Sequence, residues 1–422
     1  MMMKPEAVRI SGLGLDCDAP PARPVILTFT GGYLPGFKTG GPIRSLVNMT
    51  NQLGDEFDFR IVTPDRDLGD TSAYPSVDVD RWNAVHKAQV FYRSPGAGGW
   101  RALVAALREI EYDLIYLNSF FSPDASLRPL LYRRIGKLRK RPVLLAPRGE
   151  FSPGALALKP IKKRAFLKLA EAIGLHSETL FQASSEHEAA DIQRVITPKR
   201  SLRSNIAVAC DLPQNNCQAL DRASIRRSAD PLKGVFLSRI SPMKNLVGAL
   251  SMLAQVSCPV AYDIYGPIED QAYWAQCLKL AAALPAHVTV QYHGELRPEA
   301  VETVLPAYDF FFLPTLGENY GHVVREALSA GLPVLISDRT PWRNLAAASA
   351  GADIPLDQPE AFVAWIESLW RIEPQDWPAI KDAARRLGND PVKIANDLEA
   401  NRAMLQAAIV RARTADRPGK WG

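Results

Sequence analysis

The 422-residue chain is poor in the residues that staple small folds or hold metals, with five cysteines and six histidines. Cys17, Cys210, Cys217, Cys258 and Cys277 are odd in number and nowhere spaced as CxxC. That argues against a disulfide frame or a zinc site, and for reduced thiols in a cytosol. No apolar run is long enough to cross a bilayer. Residues 1–22 lack a continuous apolar core and read as a loose tail rather than a secretion signal. Internal repeats and low-complexity tracts are missing too. What is there, 47% hydrophobic and 23% charged residues, is the composition of an ordinary globular chain. Its length allows two or three domains, each with its own core. A formal charge of +5 is mild, and no nucleic-acid partner is expected.

The most informative stretch is DFFFLPTLGENYGHVVREALSAGLPVLIS, residues 309–337. Phe310 to Leu313 reads as a buried parallel strand, ended by Pro314. A loop to Gly321 leads into a helix closed by Gly331 and Pro333, and Val334 to Ser337 is the next strand. In such a βαβ unit the loop lies at the carboxyl end of a strand, where open α/β sheets bind ligands. Glu318 in the loop and Glu326 in the helix are separated by seven residues, and the amides at the helix start suit an anion.

This E-x7-E pattern, followed by Gly-Leu-Pro-Val, resembles the retaining glycosyltransferases of family four, which have the GT-B fold. The resemblance covers about residues 25–400 and is strongest over 231–345. It implies that Glu326 holds the ribose of a sugar nucleotide and Glu318 the donor sugar. Backbone groups from Asn319, Tyr320, Gly321, His322 and Val323 would meet sugar and phosphate. In the same family an Arg and a Lys grip the diphosphate, and Ser238-Arg239-x4-Lys244-Asn245 matches that spacing. A planar fork beside a point charge suits two adjacent phosphates. The resemblance also implies a donor role for Asn118, where many members carry His, and contacts of His293 and Gly294 with the base. His293 reads equally well as a buried strand-end residue.

Earlier in the chain, Val25 to Thr30 runs into TGGYLPGFKTGGP, which fits neither G-x-G-x-x-G nor the Walker A spacing. A helix starts at Pro42. The resemblance sets this loop, with Gly32 and Gly41, beside donor phosphates and acceptor, and Lys38 and Arg44 would add charge there; the alternative is a flexible turn with solvated bases. Further strands are expected at Phe59 to Thr63, Gln89 to Tyr92, Leu114 to Leu117, Val143 to Ala146 and Leu180 to Ala183. They alternate with helical patterns, as in a parallel sheet. Asp65-Arg-Asp67 and Asp78-Val-Asp80 mimic a metal-binding DxD but lack its context and read as loop carboxylates, so no metal is expected. Arg148 and Glu150 follow a strand end and either contact an acceptor or take part in a loop salt bridge. Ser185 with Glu188 has capping-box spacing.

From Leu131 to Lys168 there are twelve basic residues and one acid, Glu150, a net of +11. Ile161, Ala165, Phe166, Leu169 and Ile173 fall on one helical face within this segment. Such a helix either lies on an anionic membrane or packs inward beneath a basic rim. After the E-x7-E stretch, RTPWRNL departs from the family's Gly-rich loop at Trp342 and Arg343.

The expected fold is α/β: two Rossmann-like parallel-sheet domains, 23–210 for the acceptor and 231–390 for the nucleotide sugar. A linker at 211–230 joins them, and a last helix in 391–422 crosses back to the first domain. The expected reaction is metal-independent, cofactor-free transfer of a hexose or similar sugar from a nucleotide-diphosphate sugar, with retention. The acceptor would be a sugar or lipid-linked one in cell-surface polysaccharide or glycolipid assembly, at the cytoplasmic face of a membrane. A GT-B epimerase would need acid and base groups flanking the sugar, and the cleft motifs are poor in His. A non-catalytic partner subunit has no reason to keep Arg239, Lys244, Glu318 and Glu326.

Overall fold

The computed structural model describes residues 23–157, 159–196, 205–214 and 230–415. The expected tail and most of the expected linker lie outside these ranges. One sheet comprises β1 (Val25–Thr30), β2 (Asp58–Pro64), β3 (Trp82–Val85), β4 (Ala88–Arg93), β5 (Leu114–Asn118), β6 (Val143–Ala146), β7 (Thr179–Ala183) and β8 (Ile206–Val208). Its order is β3-β4-β2-β1-β5-β6-β7-β8, and only β3 is antiparallel to its neighbour. The second sheet comprises β9 (Leu232–Leu237), β10 (Val260–Tyr265), β11 (Val288–Tyr292), β12 (Phe310–Leu313), β13 (Val334–Ser337) and β14 (Gly351–Ile354). It is parallel throughout, in the order β11-β10-β9-β12-β13-β14.

Central strands such as β5 (LIYLN) and β12 (FFFL) are buried along their whole length, so they appear in the sequence as apolar runs. The edges give no such signal: β3 is half-exposed and β8 has three residues. Successive side chains of β1 serve opposite faces. Leu27 and Phe29 pack with Trp100, Phe120 and Phe181, whereas Ile26 packs with Leu46 and Met49. The second face is finished by the last helix, Pro391–Ala415, through Met404, Leu405, Ala408 and Ile409. Arg402 ties that helix to Glu56 with bonds of 2.7 and 2.9 Å, and Asn401 donates to the Cys210 carbonyl at 2.7 Å. The second domain has its own core around β12 and β13.

Strand order determines where a ligand can lie. Chain direction across the first sheet reverses between β1 and β5, and across the second between β9 and β12. Loops on either side of such a reversal splay apart and open a crevice at the carboxyl ends of the strands. The loops after β1 and β6 face those after β9 and β12 across one cleft of about 370 Å³.

Candidate active site

The second-domain wall is built from two loops sewn together. Leu316 N and Thr315 Oγ1 both donate to the Met243 carbonyl, at 2.8 and 3.0 Å. Asn245, in left-handed conformation, donates Nδ2 to Pro314 O at 2.9 Å while its Oδ1 caps the next helix at Gly248 N. This stitching brings Lys244 Nζ to 2.6 Å from Glu318 Oε2, both side chains being largely buried. Arg239 is more open and pairs with Glu269 at 2.8 Å. Arg239, Lys244, Glu318, Asn319, Tyr320, Gly321, His322 and Val323 all line the cleft.

Gly321 precedes the helix His322–Ser329 with φ 78° and no side-chain cap, and while Val324 N donates to Gly321 O at 2.9 Å, the amides of His322 and Val323 keep their donor capacity. A Cβ at Gly321 would lie 3.1 Å from Glu318 Cγ and 3.2 Å from Trp342 Nε1. Trp342 donates that Nε1 to Tyr320 O at 2.7 Å. The residue that departs from the family pattern thus supports the Glu318–Gly321 loop from behind.

The first-domain wall carries Lys38, Gly41, Arg44 and Arg148. Lys38 pairs with Asp70 at 2.6 Å, a bond that raises its pKa. Asp67 is buried and accepts from the amides of Phe37 and Lys38, at 2.8 and 3.2 Å. This loop carboxylate therefore shapes the glycine-rich turn. Asp80 accepts from Ser94 N and Oγ.

Arg148 and Glu150 do not pair with each other. Glu150 accepts from Ser119 Oγ at 2.7 Å and from the amides of Phe120 and Phe121 at 2.6 and 3.0 Å, fixing the chain after β5. The Arg148 guanidinium is buried against Asp211 and donates to Asn118 Oδ1 and the Tyr116 hydroxyl, each at 2.8 Å. Burial opposes its charge, yet Asp211, Tyr116 and Glu188 outweigh that and leave its pKa raised. Asn118 Nδ2 stays buried without a hydrogen-bond partner.

Asp211 falls where the sequence reads as linker, yet it is 4% exposed and central to the site. Besides Arg148 it accepts from Ser45 Oγ at 2.7 Å, and Ser45 Oγ lies 2.9 Å from His322 Nε2. Since that hydroxyl gives its proton to Asp211, Nε2 is the donor to Ser45. Burial holds the His322 pKa down at about 4, against the pull of Asp211, so the ring is neutral near pH 7. Glu188 is another residue with more than a local role. Its carboxylate accepts from Gly149 N at 2.6 Å and from Ser184 N at 2.8 Å. No local pattern could reveal Asp211, whose partners stand 63 and 166 positions away.

Five expected donor residues lie off this cleft. Gly32 packs behind the loop on Thr39 and Ile43, and Asn118 sits beneath Arg148. His293 stacks on Tyr265, with ring centroids 4.8 Å apart, and its Nε2 is 3.2 Å from Asp263. Gly294 O accepts from Gly266 N at 2.8 Å, so this pair braces the end of β10. The neighbouring Glu295 and Leu296 are the ones that reach the cleft. Glu326 lines an adjoining depression of about 250 Å³, where Arg44 bonds one carboxylate oxygen and Oε2 is buried without a partner.

The two facing Rossmann-like domains define the GT-B fold. Residues 218–397 match the family model described as glycosyl transferases group 1. HepE of Anabaena, solved in complex with UDP and glucose, superposes with a TM-score of 0.66 at 18% identity, over 91% of this chain and 100% of that one. WaaG, a glycosyltransferase involved in lipopolysaccharide biosynthesis, gives 0.62 at 15%, over 92% and 99%. Sucrose-phosphate synthase from Thermosynechococcus elongatus gives 0.61 at 15%, over 94% and 98%. Among curated proteins none matches the sequence.

Proposed function

We propose that this chain is a glycosyltransferase that moves a hexose or similar sugar from a nucleotide-diphosphate sugar to an acceptor, with retention and without a metal or cofactor. The observation that carries this is the second-domain wall, where Arg239, Lys244 and the uncapped helix start at Gly321 converge beside Glu318. Such a set stabilises negative charge developing on a departing diphosphate. The acceptor hydroxyl oxygen bonds to the anomeric carbon on the face from which the diphosphate leaves. The carbon–oxygen bond to phosphate breaks, and the hydroxyl proton passes to the leaving phosphate oxygen. Glu326 is the ribose ligand, and it exchanges its bond with Arg44 for the ribose hydroxyls. A thermal-shift screen over nucleoside diphosphates and their sugars tests the reading. A ligand at a hundred times its Kd adds about 2.7 kcal/mol of stability; no shift with any of them overturns it. NMR of the product anomer tests retention.

We also propose that the enzyme works at the cytoplasmic face of a membrane on a lipid-linked acceptor in polysaccharide or glycolipid assembly. Among the described residues no helix is long and apolar enough to span a membrane. The helix Pro160–Ala172 turns Phe166, Leu167 and Ala170 inward, but leaves Ile161, Ala165 and Leu169 exposed between Lys162, Arg164 and Lys168. This corrects the expected face, which combined Phe166 with the exposed stripe. Lys163 also turns in, donating to Ala155 O at 2.7 Å and capping the Phe121 ring. Three cations on the outer face give attraction of about 1 kcal/mol each near an anionic leaflet, weakened by salt.

A further inference from the structure

We propose that the first domain carries a second anion site, a pocket at its foot that binds the phosphate of a lipid headgroup. The proposal rests on the membrane reading above but is independent of the reaction in the cleft. β6 and β7 begin at Val143 and Thr179, so these residues mark the end of the domain opposite the cleft. A depression of about 340 Å³ opens there, with Arg133, Arg134 and Lys140 set against one acid, Glu178.

Among the described residues Glu178 engages only Arg133, at 3.1 Å. Arg134 is anchored by one bond, Nη1 to Ile173 O at 2.6 Å, and neither Arg134 nor Lys140 has an ion-pair partner among the described residues. The pocket therefore keeps two uncompensated cations over a floor of buried Val143 and Leu175. An apolar floor lowers the local dielectric and strengthens attraction for an anion.

The rim indicates what bears the phosphate. Five of the eleven large hydrophobic residues exposed among the described residues fall between 131 and 173, so exposed apolar side chains concentrate in this segment. Ile173 belongs to the pocket itself and is 38% exposed, and Ile135, next to Arg134, is 62% exposed. From Ile173 the stripe continues at four-residue steps through Leu169 to Ile161, along the helix Pro160–Ala172. A free anion would leave this surface wet. An amphiphile with its phosphate between Arg134 and Lys140 and its acyl region against Ile135 and Ile173 satisfies both halves.

The test uses the full chain with three probes: glycerol 3-phosphate by calorimetry, and flotation with phosphatidylcholine vesicles with and without phosphatidylglycerol. Lys140→Gln breaks no bond in the structure, and the Lys140→Gln/Arg134→Gln pair removes both uncompensated charges. Wild type should float with the anionic vesicles only, the double variant should bind them at least tenfold more weakly, and Lys140→Gln should fall between. Lys162→Gln/Arg164→Gln/Lys168→Gln should weaken flotation while leaving calorimetric binding of glycerol 3-phosphate unchanged. If the double variant floats like wild type while the triple variant does not, the pocket proposal is overturned and the membrane reading stands. If wild type binds neither glycerol 3-phosphate nor the anionic vesicles, both fall. Binding of glycerol 3-phosphate that is lost in the double variant, without flotation, keeps the phosphate site and overturns the lipid as its source.

Discussion

Lys244 and Arg239 illustrate how two cations assigned one task differ in what else they hold. Arg239 pairs with Glu269 in an exposed position, where such pairs contribute about 0–1 kcal/mol. Arg239→Ala should therefore melt close to wild type while losing about ten- to 150-fold in UDP or GDP affinity, as one charge-assisted contact is worth roughly 1.5–3 kcal/mol. Lys244→Ala should lose as much affinity and stability too, because it leaves the Glu318 carboxylate without its partner 2.6 Å away. Melting and calorimetric titration of both variants check this, and unchanged affinity in both would remove the phosphate assignment. The two acids separate in another way. Glu326→Ala should weaken the bare nucleoside diphosphate and the sugar nucleotide alike, since both carry the ribose. Glu318→Ala should affect the sugar nucleotide more. Equal responses in a titration of both ligands against both variants would show that the separate roles are wrong.

The loops at the strand ends depend on a few backbone positions more than on side chains. Gly266, just past β10, has φ 138°, and a Cβ there would stand 1.9 Å from Ser238 O. Gly266→Ala should therefore displace the Ser238–Asn245 loop and cost on the order of 2–4 kcal/mol, by strain and by lost contacts. Its denaturation midpoint should fall and its diphosphate binding should weaken together; a stable variant with intact binding would contradict the coupling. Elements of this kind were legible in the sequence where burial on both faces makes an apolar run, as in β1, β6, β12 and β13. That Arg239, Lys244 and Glu318 line the cleft was legible because the spacing of the resembling family sets them in the loops that follow such strands. Asp211, Glu188 and Asp67 were not, because their partners come from other loops and nothing local marks a carboxylate as buried. The helix Pro160–Ala172 was half legible. It carries two apolar stripes, and only the Phe120, Phe121 and Phe151 cluster beneath it decides that Phe166 turns in while Leu169 stays out.

At the scale of the whole molecule, both domains lean on neutral histidines, and acid should undo that. His176 stacks on Phe120 at 4.5 Å, with both ring nitrogens buried and unpartnered, and burial lowers its pKa to about 4. His322 joins the two domains through Ser45, and burial lowers its pKa to about 4 as well. In the unfolded chain each ring takes up a proton near its ordinary pKa of 6.5, whereas the folded form resists until about 4. Each thus contributes stability that is complete above pH 6.5 and is lost as pH falls toward 4. One pKa unit is worth about 1.4 kcal/mol, so each ring accounts for on the order of 3 kcal/mol across that window. Glu188, whose pKa burial raises, works in the opposite sense: its contribution is complete below its ordinary value and is lost as pH rises from there through the raised value of the folded state. The measured slope should therefore be shallower than the two rings alone would give. His176→Phe isolates one ring, keeping an aromatic on Phe120 and deleting two unpartnered nitrogens. Its melting temperature should equal or exceed wild type at pH 7.5, and the gap should widen in its favour as pH falls to 5. Parallel unfolding curves for the two proteins across that range would mean that His176 is already protonated, or hydrated, in the folded chain.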